Sequence, residues 1–182
     1  MQHPDPALAD DRIGLRPYAM RDVAAIVDGF GDDRVTRWFP VPLPFDRGQA
    51  TAYVRDCRAG WQHGVQASFA IIEQASGRLV GGVDVDEIDH RAGVGDVGYW
   101  VAAGSRGNGY AAAAVQLVSA WALADLRLHR LTLLVEPENA ASISVAERAG
   151  FAKDVLLRAH DTDWRDGRER DFIRFVRESA EA

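Results

Sequence analysis

The chain has 182 residues, of which 47% are hydrophobic and 26% charged, with a formal net charge of −6. That length and apolar content suit one folded domain with a substantial core and exclude a disordered polymer. No apolar run approaches the ~20 residues of a membrane span, the start MQHPDPALADDR lacks a basic-then-apolar leader, and the acidic balance argues against nonspecific nucleic-acid binding, so neither membrane nor nucleic acid is an expected partner.

The first element is a strand in IGLRPY (13–18), followed by a helix over Arg21–Phe30. The stretch 32–46 contains WFPVPLPF, whose prolines forbid an interior helix and predict a structured loop rich in aromatics. An amphipathic helix is expected from Arg47 to Trp61. It carries Cys57, the chain's single cysteine. A lone cysteine cannot form an internal disulfide, which fits a reducing cytoplasm and a packing role.

Three strand patterns come next: SFAIIEQ (68–74), RLVGGVDVDEI (78–88) and GDVGYWVA (95–102). ASG and DHRAG separate them, as antiparallel hairpins require. A long, mostly apolar helix runs from about Gly109 to Leu126, then a strand in HRLTLLV (129–135). Asn139 is a credible N-cap for a helix reaching Ala149, with Gly150 as its stop. FAKDVLLR (151–158), a polar loop at 161–168 and RDFIRFV (170–176) close the chain. The order is β-α-α-β-β-β-α-β-α-β-β, a mixed α/β fold with helices over a largely antiparallel sheet. It reads as one domain over 12–177, between polar termini at 1–11 and 178–182.

The junction GSRGNGYAAAA (104–114) carries the chemistry. Glycines tolerate unusual backbone angles and close approach. A helix start offers unpaired N–H groups and the positive end of a dipole, which together favour an anion. A tight structural turn would use the same residues. A Walker A loop fails here, because Tyr110 and Ala111 replace the Lys and Ser/Thr that reach the phosphates and metal. Gly107-x-Gly109-x-x-Ala112 fits a dinucleotide fingerprint, but Asp125 and Glu136 are both misplaced for its ribose-binding carboxylate.

Arg106-x-x-Gly109-x-Ala111, between a strand and a long helix, resembles the signature of the GNAT superfamily of acyl-coenzyme A-dependent N-acyltransferases. ENAASISVAERAGF (138–151) resembles that family's following motif, through Asn139, Ser142 and the run Glu147 to Phe151. GDVGYWVAAGSRGNGYAAAA is similar to the branch that holds bacterial ribosomal-protein N-terminal acetyltransferases. The resemblance covers approximately residues 12–177.

It implies that acetyl-coenzyme A is the cosubstrate, with Arg106, Gly107, Asn108, Gly109, Tyr110 and Ala111 cradling its pyrophosphate. It further implies that backbone near Val101 pairs with the pantetheine arm and that Asn139 also binds it. An amine would attack the acyl carbonyl directly. The acceptor is a peptide or protein N-terminus, ahead of lysine or a small amine, and homodimers are the family habit. Asp96 occupies the place of a family glutamate and is the candidate base, acting through a bridging water; an ordinary polar strand residue is the alternative. The 139–149 helix has no tyrosine, so Ser142 replaces the usual phenol as candidate donor to the departing thiolate. No metal is expected, since His63, His90, His129 and His160 show no ligand spacing. A non-catalytic coenzyme A-binding module is the main alternative and a nucleotide-binding oxidoreductase the weaker one.

Overall fold

Alternation of apolar and polar side chains makes the central strands two-faced, and helices cover both faces. The computed structural model describes residues 1, 3–4, 7–39, 41–163 and 166–179. Its strands are β1 (Ile13–Pro17), β2 (Ala67–Glu73), β3 (Leu79–Asp89), β4 (Val94–Val101), β5 (Arg130–Val135), β6 (Ala152–Thr162) and β7 (Glu169–Glu178). They form one sheet in the order β1-β2-β3-β4-β5-β7-β6. Every pairing is antiparallel except β4 with β5.

The helices are α1 (Val23–Phe30), α2 (Asp33–Thr36), α3 (Arg47–His63), α4 (Tyr110–Ala124) and α5 (Ala140–Arg148). Their boundaries have local causes. The Asp46 side chain accepts from the Gln49 N–H at 2.9 Å and Gln49 returns the bond at 2.6 Å, a reciprocal cap for α3. Gly64, left-handed at φ +75°, ends that helix. The one-turn α2 departs from the loop expected over 32–46. Asp32 caps it, and the turn ends before the first of the prolines that motivated the loop.

α4 packs over β1, β3, β4 and β5, while α5 lies beside it on β5 and β6. On the other face α1 packs on α3 and β3. There Phe30, Val54 and Trp100 form a second core with Tyr18, Phe39, Phe45 and Tyr53 packed against it. β6 also runs further than expected, to Thr162, which shortens the polar loop; Trp164 and Arg165 of that loop lie outside the described residues.

The feature that positions the site is a fork. β4 and β5 pair only at Val94–Arg130, Gly95–Leu131 and Asp96–Thr132. Beyond that point each stays bonded to its outer neighbour, Val101 with Gly81 of β3 and Val135 with Ile173 of β7. A gap therefore opens between two well-anchored strands.

Candidate active site

The gap runs into the start of α4. Its N-cap is Gly109, at φ +76° and with no side chain to satisfy the first turn. Ala113 bonds back to the Gly109 carbonyl at 3.1 Å. Helix geometry leaves the preceding N–H groups of Tyr110, Ala111 and Ala112 as orphan donors at the positive end of the dipole. Gly107, Gly109, Tyr110, Ala111 and Ala112 all line a cleft of about 730 Å³. This donor set fits an extended ligand that ends in a pyrophosphate.

Two predicted cradle residues hold the turn. The Asn108 amide donates to the carbonyls of Ser105 at 3.2 Å and Arg106 at 3.4 Å, and Asn108 does not line the cleft. Arg106 lines it but is already engaged: Nε donates to the Val101 carbonyl at 3.3 Å and Nη2 pairs with Asp32. The Arg34 N–H and then the Arg106 guanidinium hold the Asp32 carboxyl below its usual range, despite some desolvation. Arg106 thus ties the cradle to the cap of α2. The Tyr110 hydroxyl donates to Glu73 at the end of β2, anchoring the helix start to the sheet.

Inside the fork, Ala102 N–H bonds to Val80 of β3. Strand alternation then turns the N–H and carbonyl of Val101, and those of Tyr99, toward the gap that β5 has left. The Val101 carbonyl already accepts from Arg106 Nε; the other edge groups have no strand partner there and suit pairing with the amides of an extended arm.

Across the gap stands α5. The Asn139 side-chain oxygen accepts from the Ser142 N–H at 3.1 Å, so capping is one of its roles, while the residue also lines the cleft. The Ser142 hydroxyl accepts from the Tyr99 hydroxyl at 2.7 Å. Burial, partly offset by that bond, pushes the Tyr99 phenol up to about 12, so it remains a proton donor at neutral pH. With its oxygen held by Tyr99, Ser142 has its own proton available for the cleft. Tyr99 escaped the sequence reading because 43 positions separate it from Ser142. The available signal was strand parity, which places Tyr99 beside Val97 and opposite Trp100.

The cleft is also lined by Trp38, Phe39, Trp100, Leu134 and Phe172 and by Arg34, Arg37 and Arg148. The Arg37 guanidinium lies 4.6 Å from the centre of the Trp38 ring. Part of the aromatic-rich segment expected as a loop is core: Phe39 and Phe45 pack on Phe30 with ring centres at 5.7 and 4.8 Å. Pro40 lies outside the described residues. Glu136 is the one carboxylate among the described lining residues, and Arg170 already holds both its oxygens at 3.2 and 3.0 Å.

Asp96 stands outside the lining, at the closed end of the fork, with the Thr132 side chain bonded to its carboxylate. Burial, the largest influence, still raises its pKa. Among the described residues no three His, Cys, Asp or Glu side chains gather as a metal site, and no helix is long and apolar enough to cross a membrane.

Residues 12–152 match the family model described as "Acetyltransferase (GNAT) domain". The N-acetyltransferase p20 of Bacillus licheniformis is 27% identical over 154 residues, 85% of this chain and 86% of that one. Among solved structures, Mycobacterium smegmatis RimJ in complex with CoA-disulfide superposes with a TM-score of 0.82 and 28% identity, over 93% of this chain and 83% of that one. The ribosomal-protein-S5-alanine acetyltransferase of Vibrio fischeri superposes with a TM-score of 0.84 at 20% identity, over 97% and 98% of the two chains.

Proposed function

The chain belongs to the GNAT family of acetyltransferases, and from that premise we propose that it carries an acetyl group from acetyl-coenzyme A to the α-amine of a peptide or protein. The observation that carries this reading is the fork, whose free strand edge leads from the Ser142–Tyr99 pair to the orphan N–H groups of α4. A spent anion cradle would explain the helix start but not two hydroxyls poised at the far end of the gap.

Val101 and Tyr99 backbone, Asn139 and the first turn of α4 hold the cosubstrate, which supplies an activated thioester. The acceptor nitrogen attacks the carbonyl carbon, and the carbon–sulfur bond breaks with its electrons on sulfur. A thiol with a pKa of about 8.5 needs only a hydrogen-bond donor as it leaves, and Ser142 supplies that donor. Tyr99 is a positioning residue that keeps the serine proton aimed away from itself. Ser142→Ala should lower kcat about 30-fold, the worth of a hydrogen bond to a charged group. Tyr99→Phe should lower it about tenfold, the worth of one hydrogen bond. Both should leave the KM for acetyl-coenzyme A within about twofold, as steady-state kinetics will show. Unchanged kcat in a variant whose chemistry is rate-limiting removes the residue from this role.

Three arguments favour an α-amine. Its pKa of about 7.7–8.0 makes neutralisation at pH 7 cost roughly 1–1.4 kcal/mol, against about 4.6 for lysine. One structural neighbour is named as a ribosomal-protein-S5-alanine acetyltransferase, and another, at 28% identity, as RimJ. The lining of the cleft is arginine-rich and its carboxylate is already paired, which disfavours a second positive charge on the acceptor. The test is thiol release from acetyl-coenzyme A across free-N-terminus peptides, blocked lysine-containing counterparts and polyamines. Free-N-terminus peptides should be fastest. A preference for blocked lysine peptides or polyamines would reject the acceptor while leaving acyl transfer intact.

A further inference from the structure

Three carboxylates remain outside this account, on the face of β3 and β4 opposite Val83, Val85, Val97 and Tyr99. They are Asp84, Asp86 and Asp96. Asp86 pairs across the strands with Asp96, at the level where β4 is still joined to β5. Asp84 is one step further along, opposite Gly98, and Gly98 lies in the open part of the fork and lines the cleft.

Asp84, like Asp96, is not itself among the lining residues, and its approach to the cleft is over the bare backbone of Gly98. A Cβ on Gly98 would fall 2.6 Å from the Asp84 Oδ1, so the carboxylate occupies the space that any other residue would fill. The Gly98 N–H and the Gln66 side chain both favour its charged form. Asp84 keeps part of its surface exposed, whereas Ser68 and Val83 beside it are closed to solvent.

We propose that Asp84 receives a proton from the ammonium form of the acceptor, directly or through one water, and so frees the nitrogen to attack. This rests on the acyltransfer reading above and assigns its base. One N–H bond breaks and its proton moves to a carboxylate oxygen. The released lone pair forms the C–N bond, the C–S bond breaks toward sulfur, and the second nitrogen proton neutralises the thiolate through the Ser142 hydroxyl. Asp84 then returns its proton to solvent.

The surroundings suit that task. Burial raises Asp84 to about 6, against the opposing bonds from Gln66 and Gly98. The titratable groups facing it are Tyr18, from the turn after β1, Tyr53 and Cys57 of α3, and Asp86 of its own strand. None is a cation, so the incoming ammonium supplies the charge this pocket lacks. A carboxyl poised just below neutral pH is ionised yet basic enough to take a proton.

Asp84→Asn keeps the size of the side chain and an oxygen for the Gly98 N–H. With acetyl-coenzyme A and the fastest amine of the panel above, kcat/KM at pH 7 should fall at least a hundredfold. The acid limb near pH 6 should vanish from its pH profile, leaving only that of the amine. Coenzyme A affinity should stay within about twofold, and Asp86→Asn and Asp96→Asn should retain the limb. A rate within threefold of wild type with the limb intact overturns the assignment, as does loss of the limb in Asp96→Asn instead. If Asp84→Asn no longer binds coenzyme A, Asp84→Ser is read by the same limb. A wild-type chain that releases no thiol with any amine overturns the acyltransfer reading and this assignment with it.

Discussion

Gly109→Val should weaken coenzyme A binding at least a hundredfold while the chain stays folded. Gly109 sits at φ +76°, where a β-branched residue is strained by about 1–3 kcal/mol. Relaxing that strain means rotating the peptide that presents the N–H groups of Tyr110 and Ala111 to the cleft. Valine methyls would also stand where a phosphate must approach the backbone. Hydrogen bonds to charged groups are worth about 1.5–3 kcal/mol each, so losing two exceeds a hundredfold in affinity. Gly77 is the control, because it too has a positive φ, +68°, but lies in the β2–β3 turn, with nothing within 4 Å of a built Cβ where that of Gly109 meets the Arg12 guanidinium at 3.2 Å. Gly77→Val should show similar strain in a melting curve and normal binding by calorimetry. Equal affinity losses in the two variants would make strain, not the cradle, the cause.

The second large effect belongs to the support of Trp100, which lines the cleft. Asp22 is 4% exposed and takes both Arg16 guanidinium nitrogens at 2.7 Å, together with the Ala19 N–H at 2.8 Å. This clasp fixes the entry to α1, which brings Gly29 and Phe30 against Trp100. A Cβ on Gly29 would come within 2.2 Å of that indole, so the approach leaves no slack. Asp22→Ala strands a half-buried guanidinium and a backbone donor, and should cost about 3 kcal/mol in chemical denaturation.

The pH dependence tests the same clasp. Burial alone would raise the Asp22 pKa, but Arg16 and the Ala19 N–H outweigh it and hold it below the usual carboxylate range. A depressed carboxylate contributes stability that is present above its unfolded pKa of about 3.9 and is lost as pH falls through its folded value. The gap between wild type and Asp22→Ala should therefore be constant from pH 7 to about 5 and narrow below about 4. A gap that does not narrow in acid would show that shape, not charge, dominates at this position.

Much of this molecule was legible without coordinates. The hairpin glycines, the alanine-rich helix and the Asn139 cap are local signals, because backbone angles, helix propensity and capping are decided within a few residues. The turn and helix start over residues 106–111 were readable for the same reason, since glycines before an alanine-rich run are a local signal. The order of the elements followed, and with it the mixed α/β fold.

What tertiary structure decided is everything that depends on distant strands meeting. The fork between β4 and β5 appears only in the pairing register, where the two strands part while each stays with its outer partner, β3 or β7. Tyr99 reaches Ser142, and Arg106 is claimed by Asp32 across 74 positions, only once sheet and helices are assembled. Asp84 and Asp96 are equivalent as sequence, each an aspartate on a strand. They differ because pairing register sets one against a cleft-lining glycine and the other at the closed end of the fork. Local propensities carry no information about register across a sheet, whereas burial and hydrogen-bond geometry, which set each group's chemistry, depend on it.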